Sequence, residues 1–298
     1  MNFRFFGDSW FWTWYQPKVD GDKTSNFCRS KAMGTIDKYE NGLSLIRMLF
    51  QEMGHAVNNY ARPGAGFRST RLAYESNGWG TKEIPSINII FISSNLRKFH
   101  HTGLDSPFTQ YEVDLSNVEN FIKCYDDLMI EDLKNLMHYD NPNDTYLVVS
   151  GQENLPMDVF MEAKNKIKET HGWELPNWHL LSESILVDLA CTYNGTHDPF
   201  ESPQAQREWL MSKTPRFGLC RASEIGVHLN ADNVQNIGED LVSMIEEHNK
   251  IFMEFWNDGS NYHPTILMTP DPSHLGFTGQ IYFVDFVMKF LEENDLVY

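Results

Sequence analysis

Phe3-Arg4-Phe5-Phe6-Gly7-Asp8-Ser9-Trp10 opens the chain, and its reading decides the rest. Phe3 to Phe6 has the length and aromatic content of a buried strand. The run breaks at Gly7, and Asp8 and Ser9 follow where the chain must turn off the strand's carboxyl end. In an open α/β sheet, that end is where ligands and reacting groups gather. A serine placed there can expose its hydroxyl and offer its backbone N–H to a developing negative charge. Gly-Asp-Ser can equally be an ordinary turn.

Working outward, strand and helix patterns alternate. Leu43, Ile46, Leu49, Phe50 and Met53 have helical spacing, and Gly54 stands where that helix should stop. A short strand, Ala56-Val57-Asn58, leads into a loop from Asn59 to Gly66. Ile87-Asn88-Ile89-Ile90-Phe91-Ile92 reads as a strand buried on both faces, as in a parallel sheet. A helix is predicted through Val118, Phe121, Ile122, Tyr125, Leu128, Met129, Leu133 and Leu136. The turn Asn141-Pro142-Asn143-Asp144 then introduces a strand, Tyr146 to Ser150. Val159, Phe160, Ala163 and Ile167 mark another helix, and Trp178-His179-Leu180-Leu181 a weaker strand. Two more helices carry Ile237 to Phe255 and Ile281 to Leu291.

Strand then helix, repeated roughly five times, implies an α/β fold: a three-layer α/β/α sandwich around a central parallel sheet. We expect a single domain over 1–298, with irregular insertions near 10–38, 96–115 and 191–230.

The formal charge of −17, from 41 acidic and 24 basic residues, repels phosphate backbones and anionic lipid. Nucleic acid and membrane surfaces are therefore poor partners. No apolar run approaches the roughly 20 residues of a membrane span. With the first strand starting almost at Met1, no signal peptide is expected and a cytoplasmic location follows. Cys28, Cys124, Cys191 and Cys220 form no Cys-x-x-Cys pair, which argues against a zinc or redox motif. No Gly-x-Ser-x-Gly elbow, P-loop, dinucleotide fingerprint or His-Glu-x-x-His is present.

Near the other end stands Thr269-Pro270-Asp271-Pro272-Ser273-His274-Leu275-Gly276-Phe277, just before the last helix. A histidine three residues past an aspartate can have its Nδ1–H held by that carboxylate, leaving Nε2 to take a proton from a serine. The same segment also reads as a helix N-terminus capped by Ser273 or Asp271.

Taken together, these motifs resemble the SGNH (GDSL-type) hydrolases. That family has Gly-Asp-Ser after the first strand, a glycine after the second, an asparagine after the third and Asp-x-x-His before the last helix. Gly7-Asp8-Ser9, Gly64, Asn95 and Asp271/His274 occupy those places in order, across nearly the whole chain. The resemblance implies a flavodoxin-like SGNH sheet. It makes Ser9 the nucleophile, His274 its base and Asp271 the residue orienting His274. The N–H groups of Ser9 and Gly64 and the amide of Asn95 would form the oxyanion hole. It further implies an esterase acting on a small-molecule or carbohydrate ester without metal or organic cofactor, with Trp10 and Trp12 as substrate contacts. The Trp10–Tyr15 aromatic cluster reads either as a flap on the core or as a stacking platform. Ser93-Ser94-Asn95-Leu96 lacks the family's glycine before the asparagine and its acidic residue after it. The alternatives are accordingly a non-catalytic binding or structural module on the same fold, or an acyltransferase.

Overall fold

The computed structural model describes residues 1–7, 45–61, 67–77, 84–92, 118–151, 154–194, 200–213, 243–244, 246–247, 250, 275 and 277–296. Five strands form one sheet: β1 (Asn2–Phe6), β2 (Ala56–Asn59), β3 (Ser86–Ile92), β4 (Thr145–Ser150) and β5 (Trp178–Ser182). Their spatial order is β2-β1-β3-β4-β5 and every pairing is parallel. Phe3 lies opposite Val57 on one side and Ile87 on the other. The helices are α1 (Leu45–Glu52), α2 (Phe67–Asn77), α3 (Val118–Met137), α4 (Met157–His171), α5 (Ile185–Asn194), α6 (Pro203–Lys213) and α7 (Phe277–Glu293).

The pleat sorts side chains into two cores. Phe3 and Phe5, with Ile87, Ile89, Phe91, Leu147 and Val149, face α1, α5, α6 and α7. Phe6, Ile90, Ile92, Tyr146 and Val148 face α2, α3 and α4. Crossover handedness explains this division. The step from β1 to β2 runs opposite to the steps from β2 to β3 and on to β5. A right-handed connection that reverses direction must pass over the opposite face. Phe3, Phe5 and Phe6 are at most 1% exposed, and each such burial stabilises by about 1.5–3 kcal/mol. The α/β sandwich expected from the strand–helix alternation is what the structure contains.

Gly54 stops α1 where expected, and a second glycine does the same for α4. Gly54 takes φ 82° after α1, a left-handed conformation that costs glycine no Cβ clash. Gly172 takes φ 70° after α4 and donates its N–H to the Lys168 carbonyl at 2.8 Å. Helical backbone at Ser243-Met244, Glu246-Glu247 and Lys250 falls within the predicted 237–255 helix.

The structure departs from the sequence reading within 191–230, where periodicity gave no element. α5 extends to Asn194, and α6 occupies Pro203–Lys213. α5 is buried almost all round from Ile185 to Ala190, so no amphipathic stripe betrays it. α2 was missed as well; its composition is predominantly polar, with a weak apolar stripe. The predicted insertions at 10–38 and 96–115 lie outside the described residues.

Gly151 follows β4 directly and is closely approached by an aromatic ring. A Cβ there would sit 1.9 Å from Phe91 Cζ and 2.6 Å from Cε1. Phe91 is itself 2% exposed and walled in by the second core. Gly151→Ala is expected to lower unfolding free energy by about 1–3 kcal/mol, measured by urea denaturation, and Phe91→Leu in the same chain should recover part of the loss. A Gly151→Ala protein as stable as the parent would show that the ring moves freely.

Candidate active site

In the order β2-β1-β3, the chain leaves β1 toward one side of the sheet and returns to β3 on the other. The helices that follow these two strands, α1 and α3, pack on opposite faces of the sheet, and such a reversal opens a crevice in doubly wound sheets. β1 stands between β2 and β3, each about 4.8 Å away. The exits of all three strands thus fall side by side.

Packing holds those exits firmly. Tyr60 continues the β2–β1 ladder by donating its N–H to the Phe5 carbonyl at 2.8 Å. Its ring stacks on Phe6 at 5.1 Å, and Phe6 meets Tyr74 of α2 edge-on at 5.2 Å. Asn59 Oδ1 then accepts the N–H of Ala61 at 3.0 Å, a side-chain turn that bends the chain off β2. Gly7 is buried at the end of β1, and Ile92 is buried at the end of β3.

Ser9, Trp10, Trp12, Gly64, Asn95, Asp271 and His274 all lie outside the described residues. What the described chain fixes is where their segments begin and end. Ser9 follows Gly7 by two residues, Gly64 lies between Ala61 and Phe67, and Asn95 follows Ile92 by three. His274 immediately precedes Leu275, which is 1% exposed in the same core as Phe3 and Phe5. The Leu275 carbonyl accepts Gln280 Nε2 at 3.0 Å, tying it to the first turn of α7.

The direction of α7 follows from its far end. Phe290 meets His179, the second residue of β5, with ring centres 5.9 Å apart. That contact places the end of α7 near the amino edge of the sheet. From Phe290 back to Phe277 the helix rises roughly 20 Å, about the length of these strands. Its beginning, and Leu275 with it, therefore lies toward the carboxyl edge, the edge where Gly7 and Ile92 end.

The same edge carries a polar cluster that sequence reading did not find. Ser182 ends β5 and donates Oγ–H to Asp188 Oδ2 at 2.5 Å. Arg207 donates Nε–H to Asp188 Oδ1 at 2.9 Å and an η-nitrogen to Glu183 Oε2 at 3.1 Å. Glu183 Oε1 accepts the Met157 N–H at 2.8 Å, which satisfies a free donor at the start of α4. Burial disfavours the Arg207 charge, but Asp188 and Glu183 more than offset that, and its pKa is raised. Partners 19 and 24 residues from Arg207 leave no local motif to read.

This cluster is a clamp rather than a reactive centre. Ser182 is 4% exposed, and its hydroxyl bonds directly to a carboxylate with no imidazole between them. Neighbouring Cys191 has its thiol pushed up to about 11, first by burial and then by Asp188, so it stays protonated and a poor nucleophile. Among the described residues, no group of three or more His, Cys, Asp or Glu is placed to hold a metal ion. No described helix is long and apolar enough to cross a membrane.

No family model and no curated protein matches the chain. Among solved structures, a lipase/acylhydrolase from Enterococcus faecalis is similar at 11% identity and a TM-score of 0.35, covering 98% of this chain and 96% of that one. TesA is similar at 10% identity and a TM-score of 0.31, covering 71% of this chain and 94% of its own. A GDSL-like lipase from Parabacteroides merdae shares 16% identity at a TM-score of 0.27, with 71% and 94% covered.

The clamp is testable by itself. Arg207→Met keeps the aliphatic stem and removes both charge-assisted bonds. Because Arg207 is partly exposed, the expected loss of stability is modest, about 1–2 kcal/mol, read from urea denaturation. An unchanged midpoint would mean that the bonds contribute nothing net.

Proposed function

We propose that this protein is a serine hydrolase of the SGNH (GDSL) type that cleaves an ester through an acyl-Ser9 intermediate. The observation that carries the reading is strand order. β1 stands between β2 and β3, so the strands that precede Ser9, Gly64 and Asn95 in the chain end side by side, and α7, which follows Asp271 and His274, begins toward the same edge. A site shared by the two ends of the sequence requires this arrangement of strands and last helix.

In this reading, Asp271 accepts the Nδ1–H of His274 and holds the tautomer whose Nε2 is free. His274 takes the Ser9 proton as the oxygen attacks the ester carbonyl. The resulting oxyanion is met by the N–H groups of Ser9 and Gly64 and the side-chain amide of Asn95. His274 then returns its proton to the departing alcohol. A water deprotonated by His274 attacks the acyl-enzyme, releasing the acid and restoring Ser9. None of these steps calls on a metal or organic cofactor. Trp10 and Trp12 offer faces on which a sugar ring can stack, and an acylated carbohydrate is the substrate class we favour. Admitting an alcohol in place of water would turn the same site into an acyltransferase.

The Ser93-Ser94-Asn95-Leu96 segment favours a second reading, a ligand-binding module without catalysis. It departs from the family pattern beside the proposed oxyanion donor.

Two experiments separate these readings. The intact protein should hydrolyse p-nitrophenyl acetate and be labelled by a fluorophosphonate at Ser9. Ser9→Ala and His274→Ala should each lower kcat by about a thousandfold or more with the fold retained. A folded protein that neither turns over ester nor labels is a binding module instead. Labelling at another serine would displace Ser9. Asn95→Ala should lower kcat by about 10²–10³ with little change in KM; an unchanged kcat would remove Asn95 from the oxyanion hole.

A further inference from the structure

At the opposite end of the sheet the surface holds a group of rings that ester hydrolysis does not use. His138 follows the last residue of α3, His171 is the last residue of α4, and Trp173 comes just after the Gly172 cap. Helices that connect parallel strands run antiparallel to them, so both C-termini lie at the amino edge, remote from Gly7 and Ile92. The ring centres of His138 and His171 are 5.0 Å apart. Trp173 lies against both, 5.5 Å from His138 and 4.8 Å from His171, with its plane 24° and 26° from theirs. All three side chains are exposed.

We propose that His138 and His171 form a site for a divalent transition-metal ion of the kind imidazole prefers, Zn²⁺, Ni²⁺ or Cu²⁺, with Trp173 covering one side. Spacing is the first support. Two imidazoles sharing a tetrahedral ion at about 2.0–2.1 Å from each nitrogen have ring centres roughly 5 Å apart. The observed separation matches that value, so the two rings lie within reach of one shared ion. Position is the second. Each helix presents roughly half a negative elementary charge at its C-terminus, and here two such ends converge on the same pair of rings. A cation gains from both, whereas an anion would be repelled.

The donors set the selectivity. Two neutral nitrogens suit borderline ions and offer nothing to Mg²⁺ or Ca²⁺, which need oxygen ligands. Lys168, one turn before His171, is the nearest cation on α4, and Glu174 engages its ammonium at 2.7 Å. With two ligands from the described residues, water completes the coordination, and exposure makes the ion exchangeable. The formal charge of −17 further enriches cations around the chain.

The test uses full-length protein stripped with EDTA and titrated with ZnCl₂, NiCl₂ or CuSO₄ at micromolar concentrations, with MgCl₂ as control. Calorimetry should show a one-to-one event for the transition metals and none for magnesium. Cu²⁺ or Ni²⁺ should quench tryptophan fluorescence, and Trp173→Phe should remove most of that quenching while leaving the calorimetric event. His138→Ala and His171→Ala should each weaken binding at least the ~10-fold that loss of a supporting residue costs. Because both side chains are exposed, circular dichroism should confirm an unchanged fold, and the paired Gln substitutions give a second check. Two results would overturn the proposal: no binding by the parent protein, or binding that survives unchanged in the His138→Ala/His171→Ala double variant, which would assign the ion to other histidines.

Discussion

Asn2 to Phe6 hydrogen-bond in parallel to two strands that arrive much later in the chain, Ala56–Asn59 on one side and Ser86–Ile90 on the other. A parallel pairing admits no tight hairpin, so each neighbour can reach β1 only through a long crossover that carries a helix. Burial on both edges also commits both faces. Phe3 and Phe5 require one layer of helices and Phe6 another. The three layers, the two cores and the reversal in strand order all descend from placing this aromatic strand inside the sheet.

The two edges of that sheet are built differently. Polar side chains lock the amino edge. Arg4 lies 3.8 Å from Asp144, whose other oxygen accepts the Ser86 N–H at 2.9 Å. Asp140 Oδ1 accepts Trp178 Nε1–H at 2.8 Å and Asn177 Nδ2–H at 3.0 Å. The hydroxyls of Tyr74 and Tyr146 bond to each other at 3.0 Å, and Tyr146 also accepts the Asn141 N–H. Burial raises the pKa of both phenols, so they remain neutral donors, and burial likewise raises that of Asp140. Hydrogen-bonded groups of this sort rigidify a structure because breaking any one strands its partner away from water. At the carboxyl edge, ring packing holds the ends of β1 and β2, and the Asp188–Arg207–Glu183 clamp holds the end of β5.

Legibility tracked how each segment meets its surroundings. β3 could be read because all seven of its residues are buried, and burial on both faces writes an unbroken apolar run. α4 could be read because Val159, Phe160, Ala163 and Ile167 line one side against the sheet while the rest faces water. α5 failed the same test, being enclosed by the sheet and α7, and so losing the contrast that periodicity measures. The Asp188–Arg207–Glu183 clamp was illegible because its members belong to different elements. Of the candidate site, the residue types, their order along the chain and the strand ends they follow were legible as motifs, but not which strand lies beside which.

What the sequence determined by itself is the kind of layer each segment belongs to. Hydrophobic spacing records how much of a segment must leave water, and the period records whether it does so as strand or helix. It also determined where glycine must end α1, since positive φ is a local property of one residue. Only the tertiary structure decided the order β2-β1-β3-β4-β5, the antiparallel run of α7 along the sheet and the meeting of His138 with His171. A segment's own pattern specifies that it will be covered, never by what. The covering partner is chosen by crossover handedness and by packing between residues far apart in the chain.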